Sequence, residues 1–420
     1  MGLKGTYVAL KSGVGRRGGV AAGACVICVG GVGALLTSVS GIGAWHGVVG
    51  RATAAGSSRV SSQVDKAAEV TIASPRPYFV PFSGQGPSLA GGRVAWTANS
   101  GQGSTGSPID RIYLYDLAQR RLSVPVYSRY GTAGFIGDYA LAGDQLAYVD
   151  TGVTPSRIFT WQVGVVDLRQ RRARVVVTSP PGASSYIPPR IAFDGAHLLV
   201  LQTVIKGSNP PAPESMALLY TLARPGRKPD LLARAQSPTT SFGDPVLAGD
   251  MALWTTQSFG RRPSSRLTAY DLRRRVRHAI PVGDVSEVAA NGDYIVWKSG
   301  LASAPSGGRV GLYSLHRERV LSDDLAHTSK ATYPSIGGDL VSWTLADNSR
   351  VQVYSVAAGR VVHDAPPVPG RVYGLSAVAG DTTGASTSGQ AGRAVSWVYT
   401  SNVLGKGPQR GYVVVREVGP

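Results

Sequence analysis

The stretch Ala90-Gly91-Gly92-Arg93-Val94-Ala95-Trp96-Thr97 returns along the chain. Ala248-Gly249-Asp250-Met251-Ala252-Leu253-Trp254-Thr255 is nearly the same text, and so is Ile336-Gly337-Gly338-Asp339-Leu340-Val341-Ser342-Trp343-Thr344. Looser copies occupy 142–148, 193–200 and 291–297, and an interrupted one joins Ala379-Gly380-Asp381 to Arg393-Ala394-Val395-Ser396-Trp397. Aligned on Trp96, the series falls at positions 96, 148, 200, 254, 297, 343 and 397. Each copy is a glycine-bearing turn followed by an apolar strand, and glycine accepts a positive φ at little steric cost. Seven such copies, forty to fifty-odd residues apart, are the signature of propeller blades rather than of stacked helices.

Around each copy the text supplies four short strands. In the first unit they are 87–90, 94–97, 111–117 and 121–126, with a polar Gly/Ser connection at 99–108. Five further units repeat this order, their inner strands read as 140–142, 190–192, 245–248, 285–289 and 334–336. The seventh unit has 375–378, 394–400 and 411–417 and no fourth strand. Glu69-Val70-Thr71-Ile72-Ala73 has strand character and no place upstream, so it is expected to pair with 412–416 and close the ring, which removes an exposed sheet edge. The expected fold is all-β: a seven-bladed β-propeller over 84–420, with 69–83 as ring-closing strand and crossing segment.

At Pro189-Arg190-Ile191-Ala192-Phe193-Asp194-Gly195-Ala196-His197-Leu198 the repeat resembles the TolB-like and PD40-type (WD40-like) β-propeller repeats, marked by a Pro, an Asp-Gly turn and an apolar strand. The resemblance covers about 84–420; most units carry Gly-Asp or Gly-Gly where the family has Asp-Gly, and the Gly-His and Trp-Asp marks of strict WD40 blades are absent. It implies an exported or periplasmic protein that binds other proteins.

The chain has 420 residues with 43 Lys and Arg against 25 Asp and Glu, a net charge of +18 that favours anionic partners. Lys4, Lys11, Arg16 and Arg17 precede a run without charge from 20 to 49, which Arg51 ends. That run is long enough to span a bilayer as a helix, and the charges ahead of it orient the rest outward. Residues 1–54 are therefore read as a signal peptide or membrane anchor, with Ala52-Thr53-Ala54 as a small-x-small cleavage site, and 55–68 as a linker. The protein is expected outside the cytoplasm, anchored by this segment or secreted after cleavage near Ala54. Cys25 and Cys28 are the only cysteines and lie inside the apolar run, where they read as small hydrophobes.

Functional candidates follow from the two faces of the expected ring. The connections between second and third strands are long and rich in Gly, Ser and Pro, the usual place for binding on a rigid scaffold. The opposite face has tight turns with a broken basic rim of Arg120, Arg121, Arg171, Arg172, Arg273, Arg274, Arg275 and Arg317, suited to lipid headgroups or wall polymer and equally explained as solvated turns. The repeated tryptophans read as core, and Asp116, Asp167 and Asp271 as turn formers, with Asp144, Asp250, Asp293 and Asp339 read the same way. No catalytic residue, cofactor or metal site is assigned: there is no G-x-S-x-G elbow, the histidines are scattered, and His327 with Asp323 and Asp324 is the one local cluster. No nucleic-acid motif is present. The expected function is non-catalytic binding of a protein or anionic envelope polymer. The competing readings are a carbohydrate-active or other hydrolytic enzyme with its site at the central channel, and a structural spacer. Acidic side chains converging on the channel would favour the enzyme.

Overall fold

The computed structural model describes residues 69–73; residues 87–364 apart from 99–109, 132–133, 154–158, 181–186, 207–211, 236–238, 260–262, 301–307, 326, 328–329 and 346–349; and the strands at 371–379, 393–401 and 410–417. All the described strands belong to one compact unit, Thr53–Pro420. They are β1 (Glu69–Ala73); β2 (Ser88–Ala90), β3 (Arg93–Ala98), β4 (Arg111–Asp116) and β5 (Arg121–Tyr127) in the first blade; and β6 (Gly134–Ala142), β7 (Gln145–Val153), β8 (Phe159–Asp167) and β9 (Arg172–Thr178) in the second. The third blade holds β10 (Arg190–Phe193), β11 (His197–Lys206), β12 (Ala212–Thr221) and β13 (Asp230–Ala235), and the fourth β14 (Thr240–Ala248), β15 (Met251–Ser258), β16 (Ser264–Asp271) and β17 (Val276–Ala279). The fifth holds β18 (Val285–Ala290), β19 (Tyr294–Ser299), β20 (Val310–Ser314) and β21 (Arg319–Ser322), and the sixth β22 (Ala331–Gly337), β23 (Leu340–Leu345), β24 (Val351–Ser355) and β25 (Arg360–Asp364). β26 (Arg371–Ala379), β27 (Arg393–Ser401) and β28 (Arg410–Glu417) complete the series.

Every sheet has four antiparallel strands, and the first six are each made of four consecutive ones. The remaining sheet runs β1-β28-β27-β26, with Thr71 opposite Val414 and Ala73 opposite Tyr412. β26 lies beside β22 on one side and β2 on the other, so this sheet takes the place left between the sixth and first blades.

Two corrections to the sequence-based fold follow. The count of seven blades becomes six blades and a separate closure sheet. Five interblade cores weld the six: Leu146 and Tyr148 pack on Ile112 and Leu114, and the same layering recurs between each successive pair up to Trp343 and Val341 against Val296 and Leu312. The closure sheet draws its outer strand from the far end of the chain and is described through its backbone pairing alone. Second, no helix among the described residues is long and apolar enough to cross a membrane. The apolar run at 20–49, with its cleavage site and linker, lies outside the described residues.

The blades form where sequence predicts because each strand is covered on both faces by its neighbours. β20, for example, is buried from Val310 to Ser314 without alternation. Trp96, Trp254, Trp297 and Trp343 all sit on the second strand and are at most 3% exposed. Burying one such side chain contributes on the order of 1.5–3 kcal/mol. Trp297 stands directly opposite Gly311 in the neighbouring strand, and its ring covers the space where a side chain would be.

Candidate functional site in the central channel

The inner strands of the six blades surround a cavity of about 450 Å³ on the axis of the ring. Most of them are irregular at one level. The pairing of β6, β14, β18 and β22 with their neighbours shifts between Ile136 and Asp138, Gly243 and Val246, Val285 and Glu287, and Thr332 and Ser335. A bulge of this kind re-aims a side chain, and it is also where a strand tolerates proline. Pro245 and Pro334 sit in two of these bulges, and the residues before them, Asp244 and Tyr333, take positive φ of 49° and 54°. For non-glycine residues that costs on the order of 1–3 kcal/mol each, which the surrounding ring must hold in place.

Five polar or aromatic residues share this level: Asp138, Arg190, Asp244, Glu287 and Tyr333. Each lies five positions before the turn glycine of its own blade. Asp138 is buried and accepts the backbone N–H groups of Tyr139 and Ile191, both at 2.9 Å. The Arg190 guanidinium lies between two carboxylates, with Nε 3.4 Å from Asp138 and Nη2 3.7 Å from Asp244. Asp244 also receives Thr255 Oγ1 at 3.4 Å. Glu287 accepts Lys298 Nζ at 2.8 Å and the backbone N–H of Tyr333 at 2.6 Å. These bonds pass from blade two to three, three to four, and five to six. Between blades four and five the neighbours Asp244 and Glu287 are of like charge.

The electrostatics follow from this arrangement. Burial pushes the Asp138 carboxyl up to about 6, against the pull of Arg190 and the two backbone donors. Burial also raises Asp244; Arg190 opposes the shift and the charge of Glu287 adds to it. Tyr333 is raised by burial first and by Glu287 second. The level thus offers three carboxylates and one guanidinium, above an apolar floor that includes Leu141, Phe193 and Leu247. It can hold a ligand group that donates hydrogen bonds or carries positive charge.

The sequence assigned none of these residues. The signal was present in the spacing to the turn glycine, but Pro245 and Pro334 were read as strand starts, which cut out Asp244 and Tyr333, and the inner strand of unit two was read from Ala140, past Asp138.

Six of the eight rim arginines lie in the turns between third and fourth strands, Arg121 and Arg172 are the first residues of the fourth strands that follow, and all eight are exposed. Arg120, Arg171 and Arg275 occupy one equivalent turn position with φ of 50°, 54° and 58°; Glu318 and Gly359 hold it in blades five and six. Asp116, Asp167 and Asp271 each fold their carboxylate back onto turn N–H groups, as in Gln170 to Asp167 at 2.8 Å. Asp144 and Asp250 depart from that reading. Asp144 pairs with Arg93 and Arg169, and Asp250 with Arg273 at 2.8 Å, so they take guanidinium groups. The long connections between second and third strands lie largely outside the described residues. Among the described residues no three His, Cys, Asp or Glu side chains are grouped to hold a metal, the set His327, Asp323 and Asp324 included.

No protein-family model matches the chain, and no curated protein matches it. Solved propellers do. A chain of the mitotic checkpoint complex is similar at 10% identity and a TM-score of 0.52, over 92% of this chain and 100% of its own. The propeller domain of the Trilobed protease from Pyrococcus furiosus is similar at 10% identity and a TM-score of 0.50, over 80% of this chain and 96% of its own. A prolyl endopeptidase is similar at 13% identity and a TM-score of 0.51 over 78% of this chain. This chain spans about half of the endopeptidase's length, at 49%. TolB from Acinetobacter baumannii is also similar, at 15% identity and a TM-score of 0.40 over 64% of this chain and 62% of its own. At these identities the likeness shows a β-propeller and nothing finer. The Pyrococcus propeller has an open velcro topology, whereas here β1 pairs with β28.

Proposed function

We propose that this protein is a binding propeller of the cell envelope whose ligand enters the central channel, a protein partner inserting a basic or donor-rich group. The observation that carries the reading is the convergence of Arg190, Asp244, Glu287 and Tyr333 from four successive blades on one cavity. Two of these residues are held in strained backbone at the bulges. Preformed polar groups over an apolar floor, on a ring that needs no rearrangement, lower the ordering cost of binding. Export is supported by the basic start and the uncharged run at 20–49.

The channel acids also favour a second reading, a hydrolytic enzyme. Asp138 and Asp244, both raised by burial, flank one guanidinium, an arrangement in which a carboxyl can act as a general acid. Against it, Asp138 already accepts two backbone N–H groups and pairs with Arg190, and the bond from Ile191 with this ion pair fastens blade two to blade three.

A photo-crosslinking residue in place of Tyr333, in cells, tests the binding reading. A discrete cross-linked envelope protein is expected, and it should vanish when Asp244→Asn is added. No cross-link, or one indifferent to Asp244→Asn, overturns it. Turnover of glycan or peptide reporters that Asp244→Asn abolishes would move the assignment to the enzyme. Protease accessibility of the ring in intact cells tests the envelope placement.

A further inference from the structure

Five consecutive blades present basic side chains in the same turn, between third and fourth strands, and therefore on one face of the ring: Arg120 and Arg121, Arg171 and Arg172, Arg227 and Lys228, Arg274 and Arg275, and Arg317. Three of these arginines stand at a left-handed turn position that blade six fills with Gly359. The acids of these turns are fewer than the cations: Asp116, Asp167 and Asp271 accept turn N–H groups, Asp271 also lies 3.8 Å from Arg274 Nε, and Asp230 lies 3.6 Å from Arg227. Arg120, Arg121, Arg171, Arg172, Arg275 and Arg317 form no ion pair with a described residue. Beside the cations stand exposed aliphatic groups: Leu122 follows Arg121, Val276 follows Arg275, Val320 follows Arg319 and Val361 follows Arg360, at 38%, 55%, 38% and 39% exposure.

The chain also joins the ring on this face. β28 pairs with β27 so that Glu417 lies opposite Ala394, beside the end of β27 where Arg393 pairs with Ala379 of β26, and Glu69 lies opposite Arg416. The outer strand β1 therefore starts at the turn face and runs toward the long-loop face.

We propose that the turn face is a docking surface for an anionic lipid bilayer. Turns of the same kind from successive blades fall on one face of the ring, the side that would meet a sheet of headgroups. Lipid is favoured over a soluble polyanion because an exposed aliphatic side chain follows a basic residue in four of the blades, at Leu122, Val276, Val320 and Val361, which an interface accepts and a hydrated polymer does not. The long-loop face and the channel mouth then point away from the membrane. This inference is independent of what the channel binds.

The test uses the full chain with Cys25 and Cys28 changed to Ser, and one cysteine carrying an environment-sensitive NBD dye. The dye is placed by Gln170→Cys on the turn face or by Phe259→Cys on the opposite one. With vesicles of phosphatidylcholine plus phosphatidylglycerol, the dye at 170 is expected to shift blue and to be quenched by nitroxide-labelled lipid, while the dye at 259 is not. The charge reversal R171E with R172E should weaken the signal about tenfold or more, as should high salt. Leu122→Ser with Val276→Ser should weaken it as well. Equal quenching at both positions, no quenching, or the same response to phosphatidylcholine alone overturns the proposal. So does a response to soluble polyphosphate as large as that to the vesicles and indifferent to the Leu122 and Val276 substitutions, which would make the face a polymer dock.

Discussion

The carboxylate of Asp138 accepts the backbone N–H of Ile191 at 2.9 Å. The bond joins the inner strands of two blades, and it is made by a side chain whose ionised form is disfavoured by burial. Folded, Asp138 titrates near 6; unfolded, it titrates at the ordinary carboxylate value of about 3.9. The folded state therefore holds more protons between these values, and stability falls as pH rises through that window. Thermal melting of the wild type should rise when pH is lowered from 7 to 5, and in Asp138→Asn this part of the profile should flatten. Asp150 and Asp244 are raised in the same direction, so the difference between the two proteins is what isolates Asp138.

Arg275 donates its backbone N–H to Asp271 O at 2.8 Å in the same turn where Gly359 donates to Ser355 O at 2.9 Å. The two backbones match, yet only glycine is unstrained there. Arg275→Gly should stabilise the ring by about 0.5–1 kcal/mol, and Gly359→Ala should destabilise it by a similar amount. Denaturant midpoints of the two variants, which should move in opposite directions, check this.

A Cβ on Gly311 would stand 2.2 Å from the Trp297 ring. The ring is buried between blades and has no free space to move into. Gly311→Ala should cost about 1–3 kcal/mol through overpacking. A second change, Trp297→Leu, should recover part of that loss in the double variant, which a double-mutant cycle of chemical denaturation would show.

β1 guards the outer edge of the closure sheet. Proline at Thr71 or at Ile72 removes a backbone donor, and in an antiparallel pair one of two adjacent residues points its N–H at the partner. One of the two substitutions should lower the melting temperature by several degrees and yield concentration-dependent oligomers, seen by light scattering, as the edge of β28 is exposed.

How far the sequence could be read depended on which regularity each residue obeyed. The second strands declared themselves, because Trp96, Trp254, Trp297 and Trp343 recur behind a turn glycine and packing between blades demands a large apolar group at that point. The pairing of 69–73 with 412–416 was legible by elimination, one strand spare and one missing. The channel was not. Inner strands such as β6 and β14 begin six and five residues before their predicted starts, because a bulge breaks the alternation that marks a strand, and Pro245 reads as a boundary when it sits inside one. Asp138 and Asp244 lay in the overlooked halves. Charged residues inside a strand look like solvent-facing ones until the ring shows that this solvent is a closed channel. The roles of Asp144 and Asp250 were missed for a related reason: the arginines that they hold, Arg93, Arg169 and Arg273, are far enough away in sequence that only the turn face brings them together.

The pairing of Thr71 with Val414 also sets a clock. At about 5–20 residues per second, roughly 17–70 s separate the synthesis of one strand from that of its partner. Over that interval blades one to six can assemble from neighbours in sequence, while the ring stays open with an unpaired strand at its seam. A cell making this protein must keep that seam from joining another copy until the two strands meet.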